Sequence, residues 1–203
     1  GVEVVTETGY SRTFRMKNTM GFFSVTDSPD QSALELRIAC DDISCTMEIH
    51  NRVRKVFDLD TDFLLINERC AKDEHLSKGM VEGHVPRLPA AFDPFEFVIR
   101  AILGQQISVQ AATTLASRVA AKADLKSDGG YPSGLDYFFP NPTEFRHLDL
   151  DGLGIPRTKQ ATLKTVTQAI LDERVKLTTH QPFETFRENF LALKGIGEWT
   201  VHY

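Results

Sequence analysis

Leu193-Lys194-Gly195-Ile196-Gly197-Glu198-Trp199-Thr200-Val201-His202-Tyr203 is the stretch on which the reading of the whole chain turns. It reads as the end of one helix, a glycine hairpin and the start of a second helix. Two glycines around one apolar residue let the backbone reach φ values that a side chain forbids, and they leave amide N–H groups facing outward. With the positive end of the next helix behind them, those amides favour an anion such as a phosphate without recruiting a lysine. Alone, Gly-x-Gly between helices is as readily a plain tight turn, so the rest of the chain has to distinguish an anion site from a connection.

Size and composition narrow the classes. The chain has 203 residues, 41% of them hydrophobic, which suits one large or two small domains with a real core. No apolar run approaches ~20 residues, so no membrane-spanning helix is expected. The chain opens Gly1-Val2-Glu3 with neither an initiator Met nor a basic leader, which reads as a start inside a longer protein. Cys40, Cys45 and Cys70 are odd in number and lack a C-x-x-C spacing; they are read as reduced, mostly buried thiols of a cytoplasmic protein. A net charge of −5 provides no bulk electrostatic footprint for nucleic acid, so any DNA contact has to use a local patch and backbone amides.

Taken in order, Ser11 to Met16, Gly21 to Thr26 and Ala33 to Ala39 alternate as short strands, with Leu34, Leu36 and Ile38 on one face. Turn chemistry at Lys17-Asn18 and at Asp27-Ser28-Pro29-Asp30 makes them an antiparallel meander. The pattern then becomes helical, with Ile49, Val53, Val56 and Phe57 on one stripe, followed by a helix opened by Asp60 and running to Cys70. Gly79, Gly83, His84, Pro86 and Pro89 mark a linker. Beyond it Asp93-Pro94-Phe95-Glu96 and Asn141-Pro142-Thr143-Glu144 each carry the features of a capping box. Pro156 and Gln181-Pro182 start further helices, the last burying Phe183, Phe186, Phe190 and Leu193. Gly104-Gln105-Gln106-Ile107-Ser108 places two amides at a break between helices, which is either surface filler or a polar probe for a partner. The expected class is α+β: a small antiparallel sheet with two helices over residues 1–85, then an all-α domain over 86–203. No Walker loop, dinucleotide fingerprint, metal-ligand cluster or Ser-His-Asp pattern occurs.

Three features agree: Ile102-Leu103-Gly104-Gln105-Gln106-Ile107-Ser108, then Phe139-Pro140-Asn141-Pro142 with Gly152-Leu153-Gly154, then Leu193 to Tyr203. Together they resemble the helix-hairpin-helix DNA glycosylase superfamily, and within it the bacterial 3-methyladenine DNA glycosylase II type. The resemblance implies monofunctional excision of alkylated purines from double-stranded DNA, in which the damaged base is swung out of the duplex into an aromatic pocket. It implies Gly195, Ile196 and Gly197 as the phosphate-binding hairpin, commonly with a monovalent cation between backbone and phosphate and no other cofactor. It implies Trp199 and Tyr203 as pocket aromatics, and Gln106 with its neighbour Gln105 as the wedge that fills the space the base leaves. Lys194, Arg157 and Lys159 are candidate phosphate contacts, with Lys164 on the same helix as Arg157 and Lys159; for each of these a solvated charge is the plainer reading.

Two departures shape the chemistry expected. Relatives that cleave the backbone carry a Schiff-base lysine where this chain has Trp199, so a lyase is disfavoured. The aspartate of the family's catalytic step follows the hairpin after a further stretch of chain, so it is expected beyond Tyr203; Glu198 matches no catalytic position. The residues are therefore expected to be the internal portion of a longer, monomeric, cytoplasmic repair enzyme and to be inactive alone. The alternative is a non-catalytic helix-hairpin-helix module that clamps DNA phosphates without regard to sequence.

Overall fold

The structure is a computed structural model that describes residues 1–16, 19–127 and 129–202. Lys17-Asn18 and Tyr203, both singled out above, lie outside those residues. Strands β1 (Glu3–Val5), β2 (Gly9–Met16), β3 (Thr19–Ser28) and β4 (Ala33–Cys40) form one antiparallel sheet in the order β1-β2-β3-β4. The meander is as expected, with β1 added; three residues are too few to show alternation. On β4, Leu34, Leu36 and Ile38 alternate with exposed neighbours, Leu36 facing Val25 and Ile38 facing Phe23 across the ladder.

The chain forms two compact units: Gly1–Ile43 together with Asp93–Tyr203, and Ser44–Phe92. This division differs from a boundary at residue 85, because the sheet is fastened to the helices that come much later. Arg12 on β2 donates to Glu96 at 2.5 Å, Arg15 is bidentate to Glu144 at 2.8 and 2.9 Å, and Thr13 Oγ1 donates to Tyr137 O at 2.8 Å. Pairings of that sequence separation leave no local trace in composition.

In the smaller unit, α1 (Thr46–Val56) buries Ile49 and Val53, two members of the predicted stripe. The second helix, α2 (Phe63–Ala71), is capped by Asp62, whose carboxylate accepts from Leu65 N at 3.1 Å. Asp60, expected in that role, instead takes Arg54. Residues 76–89 have the composition of a linker yet are tied down. Asn67 Oδ1 accepts from Val85 N at 2.8 Å, Asp58 accepts from Leu88 N at 2.9 Å, and the Arg87 guanidinium stacks over Phe63. Gly and Pro report the lack of a regular ladder there, and nothing about attachment.

The larger unit continues with α3 (Pro94–Gly104), α4 (Val109–Ala123), α5 (Pro142–His147), α6 (Arg157–Leu171), α7 (Phe183–Leu191) and α8 (Glu198–His202). Caps set their starts. Asp93 accepts from Glu96 N, Ser108 from Ala111 N, and Asn141 with Glu144 completes a capping box. At α3 the second half of the predicted box is missing, because the Glu96 side chain is drawn to Arg12 and Arg100. One core runs through these helices, from Ile99, Ile102 and Leu103 on α3 to Val119, Leu163, Val166, Phe190 and Val201. Each such side chain removed from water contributes on the order of 1.5–3 kcal/mol. Phe190 and Leu193 are buried as expected, whereas Phe183 is 48% exposed and rests its ring against His202. Phe183 is the first residue of α7, where the helix has not yet turned onto the core.

Candidate nucleic-acid interface

The last helix pair is joined by residues 192–197. Gly195 has φ +90°, and a β-carbon there would lie 2.0 Å from Thr162 Oγ1. Backbone conformation and the close approach of α6 each demand glycine. Gly197 differs: a β-carbon would meet nothing within 4 Å, and its φ is not in the left-handed range. Among the described residues the amide N–H groups of Gly195, Gly197 and Glu198 have no acceptor, while Thr200 N and Val201 N turn back to Gly197 O to begin α8. Amides without an acceptor at a helix start are an arrangement that favours an anion.

A cleft of about 870 Å³ opens beside this turn. The α3–α4 junction (Gly104 to Ile107), the start of α6 (Pro156, Thr158, Lys159, Thr162) and the hairpin with Trp199 and Thr200 enclose it. Trp199 is 57% exposed and also lines a second hollow of about 230 Å³, with Arg100, Ala101, Ile107, Val109 and Thr113. The indole is thus a wall shared by two cavities.

The structure sorts the predicted residues. Gln106 is exposed at the rim and takes φ +61°, a left-handed conformation that costs a non-glycine residue about 1–2 kcal/mol. Gln105 is not aimed outward: its Nε2 donates to Gly195 O at 3.2 Å and to Thr200 Oγ1 at 2.9 Å. Using it as a wedge would break both bonds, so only Gln106 is presented. Lys159 donates to Leu103 O and Gln105 O, both at 2.9 Å, and so closes the C-terminal end of α3. Burial lowers its pKa below that of an ordinary lysine. Lys164 does the same for α5, donating to Arg146 O and Leu148 O. Arg157 and Lys194 are exposed and lack an acidic partner among the described residues.

Glu198 is bound by Arg187, whose guanidinium takes both carboxylate oxygens; that hydrogen bond and the carboxylate's charge raise the Arg187 pKa. The pair ties α8 to α7 and removes Glu198 from the cleft chemistry. No acidic residue lines the cleft among the described residues. Thr162, Thr200 and the capping role of Lys159 were missed by the sequence reading. No periodicity or motif marks a lysine that closes another helix's end.

Residues 1–93 match the family model of the AlkA N-terminal domain. The chain is 30% identical over 201 residues to a probable bifunctional transcriptional activator/DNA repair enzyme AlkA of Mycobacterium tuberculosis, matching 99% of this chain and 40% of that protein. It is 26% identical over 210 residues to DNA-3-methyladenine glycosylase 2 of Escherichia coli, matching 100% of this chain and 70% of that protein. A solved 3-methyladenine DNA-glycosylase from Archaeoglobus fulgidus shares its fold with a TM-score of 0.76 at 19% identity, over 98% of this chain and 68% of that one. The chain therefore spans under half the length of the mycobacterial relative.

Proposed function

We propose, for a chain whose residues 1–93 match the family model of the AlkA N-terminal domain and whose fold is shared by a solved DNA-glycosylase, that it serves DNA base-excision repair by binding duplex DNA and holding an alkylated purine outside the stack. The observation that carries this reading is the convergence of three parts on one cleft: unpaired hairpin amides, an outward left-handed Gln106, and the half-exposed wall of Trp199. A DNA phosphate sits on the amides of Gly195, Gly197 and Glu198, with Lys194 and Arg157 adding local positive charge that the overall charge of −5 does not supply. Gln106 enters the gap in the duplex. The extruded base, cationic when alkylated, stacks on the indole of Trp199.

Among the described residues the carbonyls of Leu193 and Gly195 each accept a single bond, leaving a lone pair. An all-oxygen backbone set suits a monovalent cation, and these residues would hold one, adding charge toward the phosphate. The reaction class is hydrolysis without backbone cleavage. Trp199 stands where a lyase needs an amine, and the Lys159 ammonium in the cleft is held by two carbonyls. With no carboxylate among the described residues that line the cleft, those residues bind and extrude the base, and stabilisation of the sugar cation is not theirs. Three cysteines without a C-x-x-C spacing suit the cytoplasm, where we place the protein as a monomer.

Fluorescence anisotropy with a duplex holding an abasic analogue, against the same duplex intact, tests the reading. Binding should favour the abasic duplex, because extrusion from intact DNA costs on the order of a few kcal/mol that the analogue has already lost. Trp199→Ala should weaken binding to an alkylated duplex and spare the abasic one. Equal affinity for abasic and intact duplex supports the simple phosphate clamp instead. Release of 3-methyladenine by these residues alone would refute the division of labour proposed.

A further inference from the structure

Hydrogen bonds join the three sides of the cleft in series. Lys159 on α6 holds the backbone oxygens of Leu103 and Gln105, and the Gln105 side chain holds the hairpin through Gly195 O and Thr200 Oγ1. Gly195 O can only accept, so the carboxamide orientation is set by chemistry: Nε2 faces the hairpin. Three residues along the same face of α6, Thr162 packs against Gly195 so closely that a β-carbon has no space. One helix thus grips both the α3–α4 junction and the hairpin, and Gln105 links those two directly. The next residue is Gln106, whose left-handed backbone needs its neighbours to hold it.

We propose that Gln105 is a positioning residue that couples phosphate capture at the hairpin to presentation of Gln106, making backbone binding and wedge insertion a single event. This rests on the DNA-binding reading above. An anion drawn to the Gly195 and Gly197 amides orders the turn whose carbonyl Gln105 grasps, and the ordered Gln105 backbone sets the exit of Gln106. By linkage, insertion of Gln106 strengthens the hold on phosphate by the same factor.

Two cycles on the full chain test it. In the first, without DNA, hydrogen exchange of the Gly195 to Thr200 amides is followed in Lys159→Met, Gln105→Ala and the double variant. Coupling in series predicts that each single change speeds exchange by roughly fivefold or more, and that Lys159→Met adds nothing once Gln105 is gone. Multiplying effects would overturn the proposal. In the second, the affinity ratio of abasic to intact duplex is measured. Gln105→Ala should lower it to the value of Gln106→Ala, with no further loss in the double variant. Gln105→Glu, which keeps the shape but cannot donate, should behave like Gln105→Ala; retention of the normal ratio by Gln105→Glu would show that Gln105 merely fills space and would refute coupling. If the unaltered chain shows no abasic preference, the DNA reading fails while the exchange cycle still judges the coupling.

Discussion

Gly195→Ala, paired with Gly197→Ala, separates what the fold requires of the hairpin from what a ligand requires. At Gly195 the cost has two sources. A left-handed φ of +90° penalises alanine by about 1–2 kcal/mol. The new methyl group would lie 2.0 Å from Thr162 Oγ1 and 2.9 Å from its Cγ2, and relieving such overpacking costs about 1–3 kcal/mol more. The sum, roughly 2–5 kcal/mol, is a large part of the 5–15 kcal/mol that holds a typical domain together. At Gly197 neither source exists, so stability should change by no more than about 0.5 kcal/mol. Urea unfolding followed by circular dichroism, and by the fluorescence of Trp199, the single tryptophan, measures both. Adding Thr162→Ala to Gly195→Ala should return part of the packing cost and none of the dihedral cost, since the Thr162 β-carbon, 3.0 Å away, remains. Gly197→Ala should keep the fold yet weaken DNA binding, because the proposed phosphate would approach through the open space at that residue. If Gly195→Ala proves as stable as Gly197→Ala, the account of the hairpin is wrong.

Two other outcomes follow from charge. Glu96 and Arg12 are 3% and 7% exposed, and Glu96 also holds Arg100, itself paired with Glu3. Glu96→Gln leaves a buried guanidinium without its counter-ion and should cost about 3–5 kcal/mol by thermal or urea unfolding, with the sheet loosening from α3. Burial opposes ionisation of Glu96, but Arg12 and Arg100 outweigh it and hold its pKa below the ordinary carboxylate value. A depressed folded-state pKa means that this stability is present above the unfolded pKa, about 4.3, and is lost as pH falls through the folded one. The acid limb of a stability–pH curve should therefore flatten in Glu96→Gln; an unchanged limb would show that another carboxylate governs it. Lys194→Gln and Arg157→Gln should each weaken DNA binding across sequences and lower the slope of log affinity against log salt by about 1. Unchanged slopes would remove them from the phosphate path.

What the chain discloses in one dimension is its local chemistry. Proline and aspartate or asparagine at Asp93-Pro94 and Asn141-Pro142, the glycines at Gly104 and Gly195, and the alternation of Leu34, Leu36 and Ile38 each act within a few residues, so the elements and the hairpin were legible. The resemblance motifs, which are equally local, singled out Gly195, Gly197, Gln106 and Trp199, and these four line one cleft. The cap at Asp62 rather than Asp60, and the exposed Phe183, were misread because a shift of a residue or two in where a helix starts decides them. The tertiary structure alone decided who partners whom. Arg12 and Glu96 are 84 residues apart, Lys159 and Gln105 are 54, and Gln105 and Gly195 are 90. A lysine that reads as a phosphate contact is a helix clamp, and one of two adjacent glutamines is a brace while the other faces outward. Donors and acceptors so far apart in sequence meet only once the core has closed around them, and so the hairpin's shape was written locally while the machinery that holds it was not.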